Sequence, residues 1–365
     1  MDESIIFSLL HDAWGEGSNE GIKLAMLRLT ANQLATLSND KLFNLVPEIP
    51  RDKWSQWCQF YSVERHQLRQ QLLNDLGVHL ILYTDKTYPD VLKEVYHPPA
   101  MLYVKGNFSL APLNIGMVGS RRATAYGRNV AYSLAKSLSN ENVRIISGLA
   151  KGIDANSHKG ALEGAGGTIA VLGCGIDKIY PRENAKLYDE ILDHPYGAII
   201  SEWPLGAAAR DWHFPARNRV IAGLSNGVVV VEATQKSGSL ISANYALEYG
   251  KEVFAVPGLI TSKNSVGCHR LIKDGAKLIS RPSDVLEEFG AFQLFKDVET
   301  KAEQISMTPE EKIVYDALGS IPQSVEDICL NTKLPVNTVN GILLKFELDD
   351  IVLQDFGRQY SKNEL

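Results

Sequence analysis

The chain has 365 residues, 45% of them hydrophobic and 22% charged, with 37 basic against 43 acidic side chains for a net charge of −6. This is the composition of an ordinary globular protein with room for two or three domains. The longest apolar runs, such as Gly227-Val-Val-Val-Val231, are far too short to cross a bilayer, which argues against a membrane protein.

Residues 1–76 are helical in pattern, with clusters at Leu24-Ala-Met-Leu27 and His66–Leu73, and are expected to form an N-terminal helical domain. The acidic start Met-Asp-Glu-Ser has no signal-peptide pattern. Cys58, Cys174, Cys268 and Cys329 lie far apart without zinc-ligand spacing, so free thiols in a reducing cytoplasm are expected, with no metal and no cofactor. Trp14, Trp54 and Trp57 read as core anchors. Two strands follow, at 78–83 and 101–104.

From residue 113 the pattern alternates. Apolar runs at 115–118, 143–147, 168–172, 197–201, 227–231 and 252–256 read as buried strands. Helical segments stand between them at about 126–140, 153–164, 182–193, 216–223 and 239–249. Such alternation predicts an α/β fold, a parallel sheet with helices on both faces, over residues 77–290. Ligands of these sheets sit beyond the carboxyl ends of the strands.

Residues 291–307 read as a linker, and 308–365 as a helical module closed by a short strand pair, Ile351–Gln354 and Arg358–Tyr360. Its cues are a capping box at Thr308-Pro-Glu-Glu311 and a second helix start at Ser324. Three helices and a hairpin suggest a winged helix. Residues 308–365 hold 5 basic against 10 acidic side chains, whereas 113–290 hold 20 against 17. A polyanion site therefore belongs to the middle of the chain, and the C-terminal module suits protein docking better than duplex reading.

The strand-end turns supply candidate site residues. Gly119-Ser120-Arg121 follows the first central strand and precedes a helix, a geometry that favours an anion at the helix N-terminus. Gly119 would admit a phosphate close to the backbone, and Arg121 or Arg122 would grip it through two donors. Lys151 and Gly152 follow the second strand, and Arg217-Asn218-Arg219 open a helix. Lys236-Ser237-Gly238 follow the strand ending near Val231, and Lys263 and Asn264 follow the last. Glu202 and Glu232 are the carboxylates at strand ends, read as partners of arginines rather than catalysts. Phe214, Trp212 and Tyr180 are candidates for stacking on bases or for core packing. No G-x-x-x-x-G-K-[S/T] loop and no G-x-S-x-G elbow is present.

These segments together resemble the DNA-processing protein A family (DprA, also called Smf). The likeness rests on Val118-Gly-Ser-Arg121, Ser147-Gly-Leu-Ala-Lys-Gly-Ile-Asp154, Ala170–Asp177 with Tyr180-Pro181, Phe214–Ser225, Lys236-Ser-Gly-Ser-Leu240 and Val256-Pro-Gly258. It implies an extended Rossmann-like domain, an N-terminal sterile-alpha-motif-like domain and a C-terminal winged helix. It also implies a non-enzymatic protein, usually a homodimer, that binds single-stranded DNA. The family hands that strand to the RecA recombinase, in competition with single-strand-binding protein, during natural transformation. By position, the DNA-binding residues would be Gly119, Ser120, Arg121, Lys151, Gly152, Arg217, Asn218, Arg219, Lys236, Ser237 and Gly238. His269 departs from the Asn that many members carry in that loop. The alternative is a hydrolase of related fold that cleaves nucleoside monophosphates, whose P-G-G-x-G-T-x-x-E motif this chain lacks.

Overall fold

A computed structural model describes residues 3–14, 31–290, 308–319, 322–348, 351–355 and 359–362. The cluster at 24–27, the linker at 291–307 and Arg358 lie outside the described residues. The chain divides into two compact units, Met1–Ser280 and Arg281–Leu365.

The first unit is built on nine strands. These are β1 (His79–Leu82), β2 (Met101–Gly106), β3 (Asn114–Val118), β4 (Arg144–Ser147), β5 (Thr168–Leu172), β6 (Ala198–Ser201), β7 (Gly227–Val230), β8 (Glu252–Ala255) and β9 (Lys277–Leu278). They lie in the order β1-β2-β6-β5-β4-β3-β7-β8-β9. Pairing from β6 to β9 is parallel throughout, while β1–β2 and β2–β6 are antiparallel.

Every residue of β3, β4, β5, β6 and β7 is buried, because helices cover both faces of the sheet. That is why these strands appear in the sequence as unbroken apolar runs. The helices Ala125–Asn140 and Ile153–Ala161 cross so closely that a Cβ on Gly160 would stand 2.0 Å from the Tyr132 carbonyl oxygen. The N-terminal helices share one apolar core with a face of this sheet. Ile6, Leu42, Trp54 and Trp57 cluster there with Tyr103, Ala170, Leu187 and Ile199.

The chain adds β4, β5 and β6 on one side of β3, then returns to place β7 and β8 on the other. The carboxyl ends of β3 and β7 are thus where the winding reverses and the loops diverge, leaving a crevice.

In the second unit, the helices Pro309–Ala317, Val325–Thr332 and Val336–Leu348 pack around Val314, Ile328, Leu343 and Phe346. A sheet β10 (Gln323–Ser324), β12 (Gln359–Lys362) and β11 (Val352–Asp355), in that spatial order, completes a winged-helix arrangement. Both Thr308 and Ser324 form full capping boxes, with Glu311 and Asp327.

Candidate nucleic-acid interface

The crevice between β3 and β7 holds an open cavity of about 660 Å³. Seven of the eleven residues expected from the sequence line it: Gly119, Ser120, Arg121, Arg217, Asn218, Ser237 and Gly238. Its charged lining is Arg121, Arg122, Arg217 and Lys263 against one acid, Asp154. The lining therefore carries more positive than negative charge.

Two helices, His213–Leu224 and Ser239–Glu248, begin at this cavity; neither has a side-chain cap or an acidic residue in its first turn. Their positive dipole ends are left for something other than a protein carboxylate. In the second of them Ser242 Oγ is fully buried at the cavity lining and makes no hydrogen bond among the described residues. A buried hydroxyl without a partner is costly, which makes the position a candidate for completion by a ligand. The hydroxyls of Ser237 and Ser239 are 2.7 Å apart on the same turn.

Arg121 is exposed and makes no ion pair among the described residues. Its guanidinium lies 4.6 Å above the centroid of the Phe214 ring, so its position is fixed without a carboxylate. Neither Asp154 nor Glu232 is its partner. Asp154 accepts from the N–H groups of Gly148 and Ala150 at 3.2 and 3.4 Å, and burial raises its pKa despite the opposing charge of Arg217.

Arg217 is buried. It donates to the carbonyl oxygens of Gly148, at 2.7 Å, and Val171, and through Nε to Asn218 Oδ1 at 3.2 Å. Burial lowers its pKa to about 10. A Cβ on Gly148 would stand 2.1 Å from Arg217 Nη1, so that glycine is what admits the arginine. Asn218 Nδ2 reaches the Gly238 carbonyl at 3.2 Å and ties the two helix starts together.

The structure assigns other work to several expected residues. The anion at the N-terminus of helix Ala125–Asn140 is internal. Glu232 Oε2 accepts from the Thr124 N–H at 2.9 Å and from Asn264 Nδ2 at 3.3 Å, while Oε1 accepts from the Thr124 hydroxyl at 2.5 Å. A Cβ on Gly119 would meet Ile153 Cγ1 at 2.5 Å, so Gly119 seats a neighbouring helix. Gly152 has φ +79° and a Cβ there would meet the Ser120 oxygen at 2.3 Å; the turn itself requires the glycine.

Arg219 does not line the cavity. It forms a two-pronged pair with Glu202 at 3.0 and 2.5 Å, with side chains only 14% and 12% exposed. The reason is register. The helix begins at His213 rather than near 216, so Arg217 and Arg219 lie beyond its first turn. Lys151 is exposed and paired with Glu183 outside the cavity lining. Lys236 is exposed on the turn between Thr234 and Ser237, which both line the cavity.

The lining also contains Arg122, Lys263, Asn264 and Ser242. Lys263 and Asn264 stand in a strand-end turn visible in the sequence. Ser242 follows Ser239 by three residues, one helical face, which is the only sequence signal it carries.

Residues 79–290 match the family described as DNA recombination-mediator protein A, and residues 298–358 match the DprA winged helix domain. The DNA processing protein DprA of Bacillus subtilis is 45% identical over 58% of this chain and 71% of its own length. That of Streptococcus pneumoniae is 47% identical over 56% and 72%. An X-ray structure of the Streptococcus pneumoniae protein superposes with a TM-score of 0.63 at 34% identity, covering 79% of this chain and 98% of the other. A Helicobacter pylori DNA processing protein A, solved for its single-stranded DNA binding mode, superposes with a TM-score of 0.53 at 31% identity, covering 58% and 95%.

Proposed function

The chain belongs to the DNA recombination-mediator protein A family, and from that premise we propose that it binds single-stranded DNA in the cavity between β3 and β7. It acts as a binding protein, not an enzyme, and delivers the strand to the RecA recombinase during DNA uptake by transformation.

The observation that carries this reading is Arg121. It is an exposed guanidinium, fixed over an aromatic ring at the rim of a cation-lined cavity, and among the described residues it makes no ion pair with a carboxylate. A phosphate at the guanidinium and a base near Phe214 are what a single strand offers together. A duplex hides its base faces and a free mononucleotide has no continuing backbone. Ser237, Gly238 and Ser242 at the helix start take a phosphate, Arg217 and Asn218 hold the wall behind it, and Lys236 and Lys263 add charge at the mouth. Lys151, Gly152 and Arg219 contribute by fixing the turns. Glu202 and Glu232 are both engaged by the protein, and Asp154, the one acid of the lining, accepts from the Gly148 and Ala150 N–H groups, which speaks against hydrolysis of a nucleotide bond there.

Recombinase delivery draws on the mediator role in the family's description. It implies displacement of single-strand-binding protein from the same DNA, and a homodimer working in the reducing cytoplasm. Among the described residues no helix is long and apolar enough to cross a membrane.

Fluorescent single- and double-stranded oligonucleotides, titrated across a salt series with wild type and the Arg121→Ala/Lys236→Ala variant, test the binding reading. Salt-sensitive preference for the single strand, lost in the variant, is the expected result. Equal affinity for both forms, or an unaffected variant, would overturn it. RecA filament growth on DNA coated with single-strand-binding protein tests delivery: growth no faster with the protein than without it would remove that step.

A further inference from the structure

We propose that the bound strand continues from the cavity along the carboxyl edge of the sheet onto a second, base-stacking subsite formed by Tyr180 and Trp212. The proposal rests on the single-strand reading of the cavity and extends it.

Strand order sets the direction. Outward from β3 come β4, β5 and β6. Neighbouring strands are about 4.8 Å apart, so their carboxyl ends form an edge running roughly 14 Å from β3 to β6. The loop after β5 carries Tyr180, and the loop after β6 ends at Trp212 and the helix start. Phe214 is the bridge: it lines the cavity beneath Arg121, and its ring centroid is 5.5 Å from that of Tyr180.

Both outer rings are open, Tyr180 at 44% and Trp212 at 49% exposure. Trp212 is nevertheless braced. Its ring stands edge-on to Trp203 at 5.2 Å and to His213 at 4.2 Å, and those two buried rings stack on each other at 3.8 Å. A large apolar ring held rigid yet left half in water is a platform without its cover.

Trp212 also lines a second open cavity, of about 560 Å³, together with Arg210, Leu205–Ala208, His11 and Asp12, the last of these already paired with Arg69. The space suits a base stacked on the indole. Bases of any sequence fit, because every base has a π-face. Phe214, which lines the first cavity and stands two residues after Trp212 in the chain, is what points to more of the same strand as the occupant.

The test uses the full-length protein, intrinsic tryptophan fluorescence, and anisotropy with oligothymidylates of about 5 and about 20 nucleotides, within the span of single-strand site sizes. The long oligonucleotide is expected to quench tryptophan emission, and Trp212→Phe to abolish the quench while holding the ratio of long to short affinity. Trp212→Ala combined with Tyr180→Ala is expected to lower that ratio about tenfold. A ratio that stays at wild type in the double variant, or a quench that survives Trp212→Phe, overturns the proposal. Failure of wild type to bind the short oligonucleotide at all would instead overturn the cavity reading, and this subsite with it.

Discussion

Glu232 closes the N-terminus of the helix that begins at Ala125: one carboxylate oxygen takes the Thr124 N–H at 2.9 Å, and the other takes the Thr124 hydroxyl at 2.5 Å. The protein has supplied its own anion where a strand–turn–helix unit most often receives a phosphate. Glu232→Gln replaces one acceptor by a donor facing donors. Urea denaturation should show a loss of about 2–3 kcal/mol, the scale of a buried charged hydrogen bond. Affinity of the folded protein for single-stranded DNA should stay within about threefold. Lost affinity at unchanged stability would make Glu232 a ligand group.

Arg121 is the inverse case, a cation without an ion pair among the described residues. Arg121→Ala should weaken single-strand binding about tenfold for every sequence. It should also flatten the plot of log affinity against log salt by about 0.7, the contribution of one phosphate on a single strand. Arg121→Lys should keep the salt slope but recover only part of the affinity, because an ammonium does not lie flat on Phe214. A lysine variant equal to wild type would show that charge alone matters there.

Arg219 and Lys151 separate buried from exposed pairing. Arg219→Ala strands the Glu202 carboxylate at 12% exposure and should cost about 3–5 kcal/mol of stability. Lys151→Ala opens an exposed pair with Glu183 and should leave stability nearly unchanged. Thermal melts of both variants decide it, and comparable losses would contradict the burial contrast.

For Ser242 the two readouts should move in opposite directions. Removing a buried hydroxyl that has no partner leaves the free protein as stable or more stable, by up to about 1–2 kcal/mol. Ser242→Ala should at the same time weaken single-strand binding about fivefold. A variant destabilised without loss of affinity would mean that the hydroxyl serves packing, not ligand.

His158 sets an acid limit on the fold. Its Nε2 accepts from the Leu149 N–H at 3.3 Å, and its Nδ1 lies 2.7 Å from the Thr168 hydroxyl, which itself donates to Ile145 O. Complete burial lowers its pKa to about 3, from an ordinary 6.5. The unfolded chain therefore takes up the proton first. This stabilising contribution is complete above about pH 6.5 and declines as pH falls toward 3. Between pH 7 and pH 5, wild type should lose about 2 kcal/mol more than a His158→Gln variant in chemical denaturation. Parallel losses in the two proteins would remove His158 as the cause.

The sheet was legible in the sequence because strands buried on both faces carry no polar alternation, as Ile115–Val118 and Gly227–Val230 illustrate. The glycine- and serine-rich turns could be placed at one edge for the same reason. What each charged group faces was not legible. Glu232 meets Thr124 across 108 residues and Arg219 meets Glu202 across 17, and both contacts follow from strand order and helix register. The helix start illustrates the difficulty. The pattern places the start near 216, yet proline is tolerated in a first turn, and beginning at His213 moves Arg217 and Arg219 away from the helix end.

The reversal of winding at β3 also fixes when the binding cavity can first exist. A chain emerging from the ribosome completes β3 more than a hundred residues before β7, the neighbour on its open side. At about 5–20 residues per second, that flank of the central strand waits on the order of ten seconds for its partner. Ser237, Gly238 and Ser242 emerge later still. A half-made chain therefore displays Arg121 with the opposite wall of the cavity missing, and the lining through Ser242 exists only once about two-thirds of the 365 residues have been made.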